Sequence, residues 1–432
     1  MKISKVVLFA LLALAGFSAQ ARSADKVYTL QDAYQSALGT NESVKIAEEG
    51  LSQSDSRVDQ AWTYLYPRLV GRSSYTRYNE SLPPEGGPVI FQPLTQFQAA
   101  LVLTQPLYTG GRTLAALRTA KELREASNAD LASTKQEILL GAAQAYYGVI
   151  KAQKLVEISR SSLERMERHK KVTEREASTR RTKSNVSALL RATTLVSQAQ
   201  INLVRAEDGL KVARERLNLV TRLPVEAILG EPASLAQPKD TLEQMQATAL
   251  LSRPDYAGAQ LSRKVAEENV TIVRGSHYPQ LSAEAGLQYQ SSSPETAFDG
   301  TIYYGAIRLL VPIFEGGLMK AETAEARSKV RQSELATALL QRSIETDVHE
   351  AYINLQTLSS VLETAKLQRG YAKDNFDAVE GLYSEGLLSS LSLIDAEQAL
   401  LQAEQGLLNA SYDQQLAILR LRKSIGTLGL ES

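Results

Sequence analysis

The sequence predicts a mostly helical protein with a small β part, built as two tandem repeats that each combine long antiparallel helices with one β-hairpin. Three observations support this fold class. Motifs of the first half recur in the same order in the second half, two long spans contain no proline, and four short segments alternate apolar and polar residues.

The duplication is clearest at an unusual motif. PLYTGG at residues 106–111 returns as PIFEGG at residues 312–317, 206 residues later (312 − 106), and Ala145-Tyr146 returns as Ala351-Tyr352. YPRL at residues 66–69 likewise returns as YPQL at residues 278–281. Insertions that fall between structural elements leave such copies in order. We therefore expect a first repeat at 22–226, an inter-repeat linker at 227–240 and a second repeat at 241–432.

Two proline-free spans predict very long helices. No proline occurs between Pro106 and Pro224 or after Pro312, and proline disrupts helix interiors. An alternating Ala and Leu seam, typical of close helix pairing, follows each turn between helices. Its members are Ala192, Val196, Ala199, Leu203, Ala206, Leu210, Ala213 and Leu217, and then Ala396, Leu400, Ala403, Leu407, Ala410, Gln414, Ala417 and Leu421. The helix-to-helix tips are expected at about 175–187 and 381–392.

The alternating segments predict four strands, at about 67–79, 96–106, 279–290 and 301–312. Their length of about ten residues suits tilted membrane strands. The first strand is the least regular, because Arg72 and Ser74 interrupt its apolar pattern. Four strands are too few to close a barrel, so a membrane-spanning chain would have to oligomerise. The alternative is a soluble hairpin packed on a helical coiled coil.

The chain begins like an exported protein. Residues 1–21 have the charged start, apolar stretch and small-residue end of a signal peptide. The chain has no cysteine, which excludes disulfides and predicts that it carries no lipid-anchored cysteine. The formal net charge is zero, so nucleic acid is not an expected partner.

Catalytic patterns are missing from the sequence. His169, His277 and His349 show no paired metal-ligand spacing, and neither Gly-Gly motif carries the lysine of a phosphate-binding loop. We therefore predict neither an enzyme nor a cofactor or metal site.

Proline and glycine pairs mark the predicted strand-to-helix junctions. Proline ends the hydrogen-bonded ladder, and paired glycines allow the chain to turn into a helix. The junction residues are Pro67, Pro106, Gly110, Gly111, Pro279, Pro312, Gly316 and Gly317. With these duplicated junctions and the proline-free helices that follow, nearly all of the mature sequence resembles the TolC-like outer-membrane efflux proteins.

The resemblance implies a homotrimer whose twelve strands form one β-barrel in the outer membrane of a Gram-negative bacterium. Its helices would form an α-barrel tunnel across the periplasm. The function implied is a passive exit duct of a tripartite efflux or type I secretion system. Its partners would be outer-membrane lipid, a periplasmic adaptor (membrane fusion protein) and an inner-membrane pump of the RND, ABC or MFS type. A soluble periplasmic coiled-coil adaptor or scaffold is the alternative.

The second tip resembles the family gate. Tyr383, Gly386, Ser392 and Asp395 are the gate or constriction candidates, and in better-studied members aspartates stand at the positions of both Ser392 and Asp395. One carboxylate per chain instead of two implies a weaker field. A family salt-bridge latch is not supported, because its partners are replaced by Leu388 and Ala188. Asp395 as a solvated helix-start residue is the alternative.

The first tip is basic instead. Its adaptor-contact candidates are Arg180, Arg181 and Lys183. A solvated helix end is the alternative.

Overall fold

The computed structural model describes residues 26–82, 92–179 and 182–429. The expected signal peptide at 1–21, and Arg180 and Arg181 of the first tip, lie outside the described residues. The helices are α1 (Leu30–Thr40), α2 (Glu42–Thr63), α3 (Arg112–Thr179), α4 (Lys183–Thr221), α5 (Leu242–Ser252), α6 (Pro254–Ser276), α7 (Leu318–Ser384) and α8 (Ser390–Ile425). The strands are β1 (Val27–Tyr28), β2 (Arg68–Arg77), β3 (Thr95–Tyr108), β4 (Ile228–Leu229), β5 (Gln280–Ser293) and β6 (Gly300–Leu310).

The long helices confirm the predicted fold class. Helices α3 and α7 contain 68 and 67 residues, which at ~1.5 Å per residue makes each about 100 Å long. Each packs against the shorter helix that follows it, α4 or α8. Helix α3 ends at Thr179, inside the first tip expected at about 175–187, because no proline or glycine stops it earlier.

The Ala and Leu seam is the contact surface of these helix pairs. Most of its members are buried: Ala192, Ala199, Leu203, Ala206 and Leu217 on α4, and Ala396, Leu400, Ala403, Ala410, Gln414, Ala417 and Leu421 on α8. Small alanine side chains at regular spacing let two helix axes approach closely along their length. Packing against a partner, rather than intrinsic propensity, thus stabilises helices of this length.

The hairpins of the two repeats pair into one antiparallel sheet with strand order β2-β3-β5-β6. Register puts Leu69, Leu101, Leu287 and Ile307 on one face with the other odd-numbered strand residues. The even-numbered residues lie on the opposite face, which is polar. Arg72 and Ser74 belong to that polar face, so the irregular pattern of β2 reflects one apolar and one polar side. Strand β3 runs two residues past Pro106, with a register shift between Pro106 and Tyr108.

The inter-repeat segment packs against the middle of the long helices. The two-residue strands β1 and β4 pair in parallel, and the Tyr146 hydroxyl lies within hydrogen-bond distance of the carbonyl oxygens of Tyr28 (3.0 Å) and Gly230 (2.5 Å). Leu229 and Leu235 of the inter-repeat segment pack on the same core as Tyr146. This segment therefore ties the two repeats together at mid-length. No helix in the described ranges combines the length and apolarity of a membrane span.

Candidate functional site

The second tip is a tight, capped turn. Gly386 has a φ of +76°, the left-handed conformation that glycine adopts freely, and its amide donates to the Tyr383 carbonyl. Ser389 caps α8, since its hydroxyl accepts from the Ser392 amide at 3.3 Å. The Ser392 hydroxyl lies 3.1 Å from that of Ser389, so Ser392 takes part in the cap.

Asp395 and Tyr383 lie in opposite environments. Asp395 is exposed on the first turns of α8 and forms no ion pair with a described residue. Tyr383 is buried with Phe376, Leu393 and Ala396 between α7 and α8. Asp395 is therefore available to water in the single chain, whereas Tyr383 holds the end of α7 in place.

His169 joins the first helix pair to the second tip, a role that the sequence did not suggest. It lies on α3 and is 4% exposed. Its Nε2 is 2.9 Å from the Ser390 hydroxyl on α8, and its ring meets that of Tyr383 edge-on with centroids 5.3 Å apart. Its Nδ1 is buried without a hydrogen-bond partner among the described residues.

The environment of His169 favours its neutral form. Burial lowers the pKa of His169, because a charged imidazolium is poorly solvated there. Burial also raises the pKa of Tyr383. Extending the buried stripe of α3 through Leu163, Met166 and Thr173 would have identified this histidine as an inward residue.

A buried ion pair ties the same three helices together about one turn further from the tip. Arg165 on α3 donates from Nε to Glu397 on α8 at 2.6 Å, and the Ser162 hydroxyl donates to the other carboxylate oxygen at 2.8 Å. The guanidinium also reaches Glu404 at 3.4 Å and lies 5.7 Å from the ring centroid of Phe376 on α7. Burial raises the pKa of Glu397, and Arg165 and Ser162 oppose that effect.

The strand-to-helix junctions are built by glycines in left-handed conformations. Gly110 and Gly111 have φ values of +65° and +81°, and Gly316 and Gly317 of +61° and +91°. The first junction is far tighter, because a Cβ on Gly110 would clash with the Gly275 carbonyl oxygen at the end of α6. Pro67 and Pro279 directly precede β2 and β5, and Pro312 follows β6.

The sequence matches the family model described as outer membrane efflux protein over residues 33–221 and 246–427, which is most of both repeats. The chain belongs to the outer membrane efflux protein family. The fold and the functional class expected from the sequence are therefore confirmed: this is an outer-membrane efflux protein and not the soluble periplasmic scaffold that was the alternative.

Individual relatives of this efflux protein agree with the assignment. The chain is 25% identical to the probable outer membrane lipoprotein SilC of Salmonella typhimurium, over 90% of this chain and 84% of that protein. It is 26% identical to the outer membrane protein TolC of Vibrio cholerae, over 76% of each. Its fold is similar to the open-state MtrE outer membrane channel of Neisseria gonorrhoeae, with a TM-score of 0.78, 20% identity and coverage of 92% of this chain and 88% of that one.

The first tip of the efflux protein joins α3 to α4. Helix α3 ends at Thr179 and α4 begins at Lys183, capped by Thr182. Lys183 is exposed, and Lys170 pairs with Glu174 at 3.5 Å on the helix surface. Such exposed pairs contribute little stability. Lys183 and most described residues around it are thus exposed in the single chain.

Proposed function

We propose that three copies of this efflux protein form a passive exit duct through the outer membrane and the periplasm. The four-stranded sheet carries the proposal, since it separates an apolar face from a polar face and continues into helices about 100 Å long. Strands β2 and β6 are its two edges. Pairing β6 of one copy with β2 of the next would give a closed barrel of twelve strands, which leaves no edge in lipid.

A duct that consumes no energy itself requires partner proteins that deliver the cargo to it. An inner-membrane pump, of the RND, ABC or MFS type, would load the duct through a periplasmic adaptor that docks at the tips. Arg180, Arg181 and Lys183 of the basic first tip are candidate adaptor contacts. Docking there would act on α3, which is hydrogen-bonded through His169 and Arg165 to α8 and contacts the rings of Tyr383 and Phe376 on α7.

Asp395 is the proposed carboxylate of the closed gate. It is exposed at the start of α8, where three copies would place three carboxylates around one axis. A ring of carboxylates attracts cations. Ser392 adds no charge to this ring, because its hydroxyl is neutral and takes part in the helix cap.

Single-channel recording in planar bilayers tests both the duct and the gate. The purified protein should conduct, and multivalent cations added on the tip side should block the current. Asp395→Ala should weaken that block, whereas Asp208→Ala, which removes an exposed aspartate from α4 beside Lys211, should leave it unchanged. Equal block in all three proteins would place Asp395 away from the pore. A protein that is monomeric and soluble without detergent would overturn the duct.

A further inference from the structure

The polar face of the sheet is strongly biased in charge. Within the four strands this face carries Arg68, Arg72 and Arg308 but only one acid, Glu284. The apolar face carries a single charged residue within the strands, Arg77 at the end of β2 nearest the loops. Three arginines and one glutamate leave the polar face with two net positive charges per chain.

The single acid is fully engaged. Arg308 donates to Glu284 from Nε at 2.8 Å and from Nη2 at 3.0 Å. The Tyr304 hydroxyl donates to the same carboxylate at 2.7 Å. The Tyr304 ring covers Gly286, where a Cβ would collide with it. This packing holds the carboxylate and the Arg308 guanidinium against the sheet.

The remaining arginines keep their charge uncompensated. Neither Arg68 nor Arg72 forms an ion pair with a described residue, since the one carboxylate of this face is held by Arg308. Arg68 lies in register with Thr104 and Glu284, and Arg72 lies four residue pairs further from the junction. The three arginines therefore form one positive band across the helical half of the sheet.

We propose that this band is a selectivity element that favours anionic cargo, such as organic carboxylates or phosphates, at the passage from tunnel to barrel. The inference rests on the proposed trimeric duct, in which the polar face lines the lumen. Three copies would place six net positive charges around it. Rings of arginine favour anions in pores, and a field of one sign in a confined passage raises the local concentration of counter-charged solutes. The barrel end would thus select against the cations that Asp395 attracts at the tip.

Reversal potentials in a KCl gradient test the proposal. The measurements are made at about 0.01 M salt, where the screening length is about 30 Å, so that charges in the lumen affect the measured permeability ratio. All proteins carry Asp395→Ala, so that the tip carboxylates do not dominate the selectivity. In this background Arg68→Gln combined with Arg72→Gln should lower the chloride-to-potassium permeability ratio about two-fold, as expected for unit charges several ångströms from the ion path in water.

The control is Arg77→Gln, which removes the same charge from the same strand on the opposite face. It should leave the permeability ratio unchanged. Arg308→Gln should lower the ratio as well, because it removes a cation and exposes the Glu284 carboxylate. A conducting double variant with the ratio of its parent would overturn the arginine band while the duct stands. If the parent protein itself does not conduct, the proposed duct is wrong, and the proposed role of the arginine band is wrong with it.

Discussion

Helices α3 and α7 occupy equivalent places in the two repeats and have nearly equal lengths, yet their surroundings differ. Helix α3 buries sixteen residues and α7 only seven. Apart from the contacts of His169 and Arg165 with α7 near the tip, α3 packs against α1, α2, α4, α6 and α8. Helix α7 otherwise packs against α5, α6 and α8. Duplication therefore preserved the helix but not its neighbours.

The difference shows which of the two helices is fully covered by residues of its own chain. Large apolar side chains remain exposed along α7, including Leu335, Leu339, Leu367 and Tyr371. The positions equivalent to Leu335 and Leu339, 206 residues earlier, hold the half-buried Ala129 and Ser133 on α3. Exposed apolar surface of this extent marks an interaction site. We infer that α3 is the internal support of the protomer and α7 faces another copy.

The largest loss of stability is expected from a substitution at the buried ion pair that joins α3 to the second tip. Glu397→Ala should lower the free energy of unfolding by about 3–5 kcal/mol, because it leaves the Arg165 guanidinium buried without its main partner. Denaturant titration of the detergent-solubilised protein measures this cost. Glu207→Ala, which breaks the exposed pair with Arg160, should cost less than about 1 kcal/mol. Equal costs would mean that the Arg165 pair adds nothing to the support.

The next largest effect is expected on the association of copies, from a substitution on the exposed side of α7. Leu335→Gln should weaken association of the copies by about 1.5–3 kcal/mol per contact, the value of burying a leucine side chain. Sedimentation in detergent over a range of protein concentrations measures the shift from trimer to monomer. Leu251→Gln on α5 is the control, since Leu251 is also exposed. An unchanged association for Leu335→Gln would remove α7 from the interface.

A smaller difference in stability is expected at the tyrosine that occurs in both repeats, Tyr146 and Tyr352. Tyr146→Phe should cost about 1–3 kcal/mol of stability, because it leaves the Tyr28 and Gly230 carbonyls without their shared donor. Tyr352→Phe, at the equivalent position of α7, should change the stability by less than about 0.5 kcal/mol, since the Tyr352 side chain is only partly buried. Thermal unfolding followed by circular dichroism compares them. Matching losses would show that both tyrosines have the same role.

The smallest effect concerns a single proton. The pKa of His169 is lowered in the folded state, so the unfolded or opened tip binds the proton first. The stabilisation by neutral His169 is complete above the unfolded value of about 6.5 and is lost as the pH falls from there through the folded pKa. The groups that face His169 are Tyr383 on α7 and Ser390 on α8, and neither is an acid that could stabilise an imidazolium.

Channel recordings between pH 7 and pH 5 test this dependence. The open probability should rise on acidification, because protonated His169 would separate α3 from the second tip. His169→Gln keeps a polar group near Ser390 but cannot take up the proton, so its response should be smaller. His349→Gln, at an exposed position of α7, should respond like the wild type. A response that is unaltered in His169→Gln would exclude this histidine as the cause.

The sequence was sufficient for the four long helices and the four strands of the sheet, but not for the shorter elements or for the contacts between elements. Proline absence and the Ala and Leu seam predicted α3, α4, α7 and α8, since these signals are local and periodic. The pairing of β3 with β5 required the structure, because register between two distant hairpins has no local signal. His169 and Glu397 were missed because isolated polar residues on a long helix resemble solvated ones until the neighbouring helix is placed.

The central β3–β5 ladder joins the hairpin of one repeat to the hairpin of the other. In the proposed trimer the contact between β6 and the next β2 joins hairpins in the same alternating order. An ancestral half-length chain with one hairpin could have closed the same ring as a hexamer of identical subunits. Fusion of two such halves would have placed three of the six subunit contacts of the ring within single chains. It would also have freed alternate subunits to diverge, as α3 and α7 have done.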